Sequence, residues 1–210
     1  MLKELLEKRF TAKWWSDKPV EKDKLNYVLD CAYLAPSKNG KWNYEIFVLG
    51  NSEKANKIKQ WLYYDETYCI DGERLKEGPI GNRRYNGQVL APVVLVWVAK
   101  NKNRETFDDC ITSATISMMA SEEIGVNTGF NGCLGHKTTA EKLDRPGQYA
   151  TIILGLGYID KIDGIDNSIQ REVFKDGVKH GFDYGNVSPE IVRGPNRNKK
   201  PGIDSLIHFI

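Results

Sequence analysis

Thr106–Gly135, TFDDCITSATISMMASEEIGVNTGFNGCLG, joins a helix rich in small side chains to a glycine-rich turn. Thr106-x-x-Asp109 has the spacing of a capping box and predicts a helix that starts near Phe107. Ile111, Ala114, Met118 and Met119 then recur at spacings that share one helical face. Cys110, Thr112, Ser113, Ser117 and Ala120 are small, so other backbones can approach on several sides and the helix can lie inside the fold. Gly125 ends it. Gly125, Gly129, Gly132 and Gly135 leave backbone N–H groups unshielded by side chains, which suits close approach of a flat or anionic ligand. Alone, the stretch reads first as a core helix with a C-terminal glycine and a loop.

On either side of it lie two buried strands. Val93-Val-Leu-Val-Trp-Val-Ala99 is the longest apolar run, too short and too β-branched for a membrane helix, and predicts the middle strand of a sheet. Ala150–Leu156 predicts another, after a short helix capped by Thr138-x-x-Glu141 and closed off by Pro146. Gly155-Leu-Gly157 lacks the third glycine of a dinucleotide fingerprint, and no apolar-periodic helix follows it, so a Rossmann site is rejected there.

Toward the N-terminus, Leu2, Leu5 and Leu6 predict a short amphipathic helix, and Pro19 introduces a second with Leu25, Val28, Leu29 and Ala32 on one face. That helix stops at Ala35-Pro36; a polar loop, Ser37–Lys41, leads into the strand Ile46–Leu49. A further helix carries Ala55, Ile58 and Leu62 on one side. Residues 61–88 are an aromatic excursion of weak periodicity, either a lid or packing for a helical insertion, and 160–210 read as a wrapping C-terminal segment with an apolar tail, Ile203–Ile210. The 210 residues are expected to form a single domain, 1–210, with no internal repeat.

The 30 Lys and Arg against 28 Asp and Glu give a formal charge of +2, little reason to expect binding to nucleic acid. Cys31, Cys69, Cys110 and Cys133 contain no C-x-x-C pair, and His136, His180 and His208 are scattered, so a local metal site is not expected; reduced thiols in a cytoplasmic setting are. The charged start MLKELLEKRF is no signal peptide, and no run is long enough to span a membrane. Arg9, Thr11 and Lys13 place two cations and a hydroxyl within five residues, a set that can hold a phosphate or merely favour a helix C-terminus. Ser37, Asn39 and the amides near Gly40 can bind a ligand's polar edge or simply make a turn.

Taken in order, four regions resemble the nitroreductase family of flavin mononucleotide (FMN) oxidoreductases. Arg9-Phe-Thr-Ala-Lys13 resembles its basic-Ser/Thr-basic motif, and Ala35-Pro-Ser-Lys-Asn-Gly-Lys41 its Ala-Pro-Ser-Ser-x-Asn segment. Gly125-Val-Asn-Thr-Gly-Phe-Asn-Gly132 is similar to its Gly-Leu-Gly-Thr-x-x-x-Gly turn. Leu154-Gly-Leu-Gly-Tyr158, with Lys199-Lys200-Pro201, resembles its Gly-Tyr strand end and the later basic residue before proline.

The resemblance implies an α+β fold, a mixed central sheet flanked by helices, in an intertwined homodimer whose two FMN sites each draw on both chains. By that analogy Arg9 and Lys200 pair with the phosphate, Thr11 donates to it, and Lys13 sits at the pyrimidine edge of the ring. Pro36, Ser37 and Asn39 border the ring or ribityl chain; Phe130 packs beside the ring; Gly132 offers backbone near N5; Gln88 is a further candidate for the ring edge. Phe10, Lys38, Asn131 and Lys199 complete the implied cofactor-binding set, and no side chain is assigned to proton transfer. The implied activity passes electrons from NADH or NADPH through the flavin to a small oxidised acceptor such as a nitroaromatic or quinone.

The sequence departs from the family pattern at Trp42-Asn43-Tyr44, where Gln-Pro-Trp is common, at Phe10, at Asn131, and at Lys200, where arginine is frequent. Two other readings remain: specialised flavin chemistry on the same fold (reductive dehalogenation or fragmentation of the flavin), and a non-redox protein that binds a phosphorylated ligand.

Overall fold

The computed structural model describes residues 2–9, 11–12, 15–63, 69–70, 73–74, 87–132 and 134–159. Its sheet is built on the strand that the longest apolar run predicts. That strand, β4 (Val93–Ala99), is buried at every position because it pairs on both edges and is covered on both faces. On one side it pairs with β1 (Tyr44–Leu49) and on the other with β6 (Tyr149–Gly157); β5 (Asn127–Asn131) lies outside β6, giving the order β1-β4-β6-β5. A separate two-stranded ribbon pairs β2 (Cys69–Ile70) with β3 (Glu73–Arg74).

Every described pairing is antiparallel, where a mixed sheet was expected. The physical reason lies in the crossover. Both β4 and β5 run antiparallel to β6 and so share a direction, and the helix between them, α4 (Arg104–Glu123), makes the kind of connection that parallel neighbours need. Strand β6 occupies the place between them, so each contact becomes antiparallel.

Alternate residues of the sheet face two layers. On one face Leu95, Trp97, Leu154 and Leu156 pack with Val28 and Ala32 of α2 (Lys22–Tyr33) and with Cys110, Ala114 and Met118 of α4. On the other, Val94, Val96, Val98 and Ile153 pack with Ala55, Ile58 and Leu62 of α3 (Glu53–Tyr63), with Trp15, and with Ala140 of α5 (His136–Lys142). The apolar periodicities of α2 and α3 therefore identify their buried sides correctly. Among the described residues no helix is long and apolar enough to cross a membrane.

Helix α4 begins three residues before Phe107, and its N-cap Asn103 makes no side-chain capping bond. Thr106 Oγ1 instead donates to Asn101 Oδ1 at 2.8 Å, and the same oxygen accepts the Asn103 N–H at 3.1 Å. Asn101 thus organises the entry, and the threonine and acid expected to cap the helix sit inside it. The same displacement occurs at α5, where Gly135 is the N-cap and Thr138 Oγ1 donates to its carbonyl. Ile111 is 45% exposed, so it does not share the face of Ala114 and Met118. The buried side of α4 is the small one, carrying Cys110, Ser113, Ala114, Ser117 and Ser121. At its end Gly125 adopts φ +75°, and its N–H binds Glu122 O while Val126 N–H binds Ser121 O, the paired bonds of a Schellman stop.

Ser113 shows why small polar residues serve this helix. Its hydroxyl accepts from Trp97 Nε1 at 3.0 Å and donates to Ala32 O at 3.0 Å, joining β4, α2 and α4 in one buried chain of hydrogen bonds. Replacing Ser113 by Ala leaves the buried Trp97 N–H without its acceptor, and urea unfolding is expected to show a loss of about 1–3 kcal/mol.

Candidate functional site

Gly129 on β5 pairs in register with Gly155 on β6, and Gly157 ends that strand. On their shared face a side chain has nowhere to go. A Cβ at Gly155 would collide with Gln88 O and meet the Trp15 ring at 3.0 Å. At Gly129 it would collide with Ala12 O and meet Trp15 and Gln88 at 2.9 Å, and at Gly157 it would meet Pro92 at 2.7 Å and Trp15 at 2.8 Å. The glycines therefore form a strip on which the chain lays its own Trp15, Ala12 backbone and Gln88 turn. This corrects the expectation that the glycines leave their backbone open to a ligand. Of the four in the quoted stretch, Gly125 ends a helix, Gly129 is covered, Gly135 caps α5, and Gly132 is exposed.

Three hydrogen bonds fasten the N-terminal segment to this strip. Ala12 N–H donates to Thr128 O at 2.7 Å, Ser16 N–H to Tyr158 O at 2.6 Å, and the Trp15 indole to Gly87 O at 3.0 Å. Arg9 and Thr11, both half-buried, are thereby held beside the start of β5, with Arg9 just past α1 (Leu2–Lys8). Gln88, on the 3-10 turn Gly87–Leu90, is buried with its side chain against Gly129. Within β5, Thr128 donates from both its amide and hydroxyl to Glu122 Oε1, at 3.0 and 2.7 Å, which locks the strand to the end of α4. Phe130 packs into the cluster on the α2 and α4 side; Asn131 is buried, and the adjoining Gly132 is not.

The second predicted group lies elsewhere. Pro36, Lys38 and Asn39 are exposed, and Ser37 is half-buried on a 3-10 turn, Lys38–Gly40, in which Asn39 and Gly40 adopt φ +57° and +62°. Ser37 Oγ donates to Asp109 Oδ2 at 2.9 Å and accepts Trp42 N–H at 2.9 Å; Lys38 N–H donates to both Asp109 oxygens. The Ser37 hydroxyl and the Lys38 amide thus both bond Asp109 of α4. Asp109 was missed as this loop's anchor because its spacing from Thr106 was read as a cap. Asp109 and Glu122, which anchor the two groups, are thirteen residues apart on one helix, about 20 Å. Phe10, Lys13, Lys199 and Lys200, most of residues 61–88, and the wrapping segment 160–210 lie outside the described residues.

At the end of β6, Tyr158 ties the sheet to the start of α2. Its hydroxyl donates to Glu21 and accepts from Lys24 at 3.0 Å, and Lys18 lies 3.9 Å over its ring. Chiefly through the Tyr158 hydrogen bond, the Glu21 carboxyl is pulled down to about 2. A lowered pKa contributes stability that is present above the ordinary value of 4.5 and lost as pH falls through about 2. In Tyr158→Phe the Glu21 midpoint should move back toward 4.5, read by NMR titration of its side chain. Gly155→Ala should cost about 1–3 kcal/mol in urea unfolding and shift Trp15 emission, whereas Gly50→Ala, with nothing within 4 Å of the new methyl, should change neither.

The Nitroreductase family model matches residues 6–158, which include both groups and the glycine strip. No curated protein matches the chain. Among solved structures it is similar to a nitroreductase with bound FMN from Bacteroides fragilis, at 19% identity and TM-score 0.61, covering 75% of this chain and 87% of that one. It is also similar to an FMN-dependent nitroreductase from Clostridium difficile, at 22% identity and TM-score 0.55, covering 81% and 94%. Oxidised iodotyrosine deiodinase bound to FMN and 3-iodo-L-tyrosine matches at 19% identity and TM-score 0.59, over 78% and 92%. At these identities the solved structures speak for the fold, and the family match over most of the chain speaks for descent: the chain belongs to the nitroreductase family.

Proposed function

We propose that the protein is a homodimeric FMN-dependent oxidoreductase that works on small oxidised acceptors. The observation that carries this reading is the Ala12–Thr128 bond, which sets the segment bearing Arg9 and Thr11 beside β5, the strand that exposed Gly132 follows, in a chain of this family. The donor set fits FMN: a guanidinium fork and a hydroxyl two residues apart suit a phosphate, and an uncovered glycine backbone admits a flat ring. Arg9, Thr11 and Lys200 would hold the phosphate, Lys13 and Gln88 the ring edge, and Gly132 the backbone position beside the ring. FMN held by these residues would supply the redox chemistry of a ping-pong cycle, with NADH or NADPH as the donor and a nitroaromatic or quinone as the acceptor. The chain contributes position and charge; none of its side chains is assigned a proton.

The homodimer is supported by what one chain leaves incomplete. The Ser37 loop is held at Asp109, and β5, which bonds Ala12, at Glu122, thirteen residues further along α4 and about 20 Å away; a site drawing one group from each chain brings the two together. Leu2, Leu6 and Ile111 are 54%, 43% and 45% exposed, apolar area of the kind that a second subunit covers. Unpaired Cys31 and Cys110 accord with a reducing cytoplasmic setting, where the nicotinamide donors are found.

The test is the visible absorption of the purified protein before and after FMN addition and desalting, followed by anaerobic NADH or NADPH. Flavin bands at about one FMN per chain that bleach with the donor are expected; a protein that retains no flavin overturns the reading. Arg9→Ala with Lys200→Ala should weaken FMN binding by about tenfold or more. Parallel turnover of a nitroaromatic, a quinone and a haloaromatic separates the general reductase from the dehalogenating alternative.

A further inference from the structure

Lys59 is the only charged side chain that is buried among the described residues, at 7% exposure. No described carboxylate pairs with it. Its Nζ donates to Ala91 O at 3.0 Å and Pro92 O at 2.9 Å. Burial pushes its pKa down to about 8. An ammonium taken out of water for two carbonyls is expensive, and an apolar residue would fill the place at lower cost. What the cation holds gives the reason for it.

Ala91 and Pro92 follow directly on the turn Gly87–Leu90 and lead into β4. Four residues of this six-residue corner, Gly87, Gln88, Ala91 and Pro92, lie against the glycine strip or the indole on it. Gly87 O accepts the Trp15 indole, Gln88 O lies over Gly155, the Gln88 side chain lies against Gly129, and Pro92 lies against Gly157. Lys59 reaches in from α3 and takes the two carbonyls at which the corner ends. Helix α3 ends at Tyr63, so Lys59 also joins the two ends of the stretch that leaves α3 and returns at Gly87.

We propose that Lys59 is a positioning residue that presses the Gly87–Pro92 corner onto the glycine strip and so fixes Gln88 at the edge of the cofactor ring. The inference rests on the FMN reading above for its consequence, while the latch itself concerns only this chain. A neutral lysine amine still donates to both carbonyls, so the latch persists as pH rises through 8 and its effect on Gln88 is one of position.

The experiment is a double-mutant cycle of Lys59→Met and Gln88→Leu on FMN dissociation constants, paired with amide hydrogen exchange in the flavin-free proteins. Each single substitution is expected to weaken FMN by about tenfold, and the double variant by no more than the worse single, because both remove one contact. Lys59→Arg, which keeps the donors, should bind within about threefold of wild type. Fold-changes that multiply, or a Lys59→Met protein with wild-type affinity, overturn the proposal. If Lys59→Met does not fold, Lys59→Gln goes through the same cycle. Should the wild type bind no FMN, the functional reading fails by itself, and exchange decides the latch. The Gln88 and Val89 amides should then exchange about tenfold faster in the variant with α4 amides unchanged, and equal exchange overturns it.

Discussion

The close contact of the Trp15 indole with Gly129, Gly155 and Gly157 is the constraint on which the proposed cofactor side of the molecule depends. A ring can lie on backbone only where three side chains are missing, and the sheet supplies them at matched positions of neighbouring strands. Once seated, the indole orders two segments distant in sequence. Its own chain carries Arg9 and Thr11 along the edge of β5, and its N–H holds the Gly87 carbonyl and with it the turn that bears Gln88. Removing so large a buried side chain from a fitted site costs about 3–5 kcal/mol in general. Here the loss would also release both segments.

Much of the architecture was legible because its signals are collective. A run such as Val93–Ala99 has one stable place, the middle of a covered sheet, and the 3.6-residue spacings of α2 and α3 identify their buried sides without knowledge of partners. Local signals failed where a distant group competed for the same atoms. Thr106-x-x-Asp109 has the form of a cap, yet Asn101 takes the threonine and the Ser37 loop takes the aspartate. Mixed pairing was likewise expected from the family, while the insertion of β6 between β4 and β5 depends on which strand fills a gap, and no local pattern encodes that. The glycines were recognised as sites of close approach, but the approaching group proved to be the chain's own tryptophan over Gly129. Trp15 carries no local mark that distinguishes a ring on a strip from any other core aromatic.

Helix α4 gives the two candidate groups their geometry. Its last turn fixes β5 through Glu122, and its second turn fixes the Ser37 loop through Asp109. A rigid rod between them fixes the two anchor points, Asp109 and Glu122, about 20 Å apart within one chain, and bringing them together would unfold the helix. The small side chains of its buried face let it lie close against α2 and the sheet, with Ser113 as the hydrogen-bonded centre. The helix is therefore a spacer as much as a core element. In the proposed dimer that fixed spacing, rather than any flexible loop, sets which parts of two chains meet.

The departures from the family pattern at Trp42–Tyr44 fall on the loop group and have unequal consequences. Tyr44 opens β1 and is buried in the α2 and α4 layer, so its identity is a matter of packing. Asn43 contributes its carbonyl to Lys100 N–H at 2.9 Å, a bond any residue can make. Trp42 is different. It adopts φ +41°, a region that a bulky side chain enters at a cost of about 1–3 kcal/mol. Its amide binds Ser37 Oγ, and its ring stacks on exposed Tyr33 at 6.4 Å and 11°. The strained conformation is held by that amide bond and that stack. Of the three substituted positions, only Trp42 sends an exposed side chain past the loop. Under the proposed function, a difference in the acceptor is therefore to be sought at Trp42, while the glycine strip has no described contact with it.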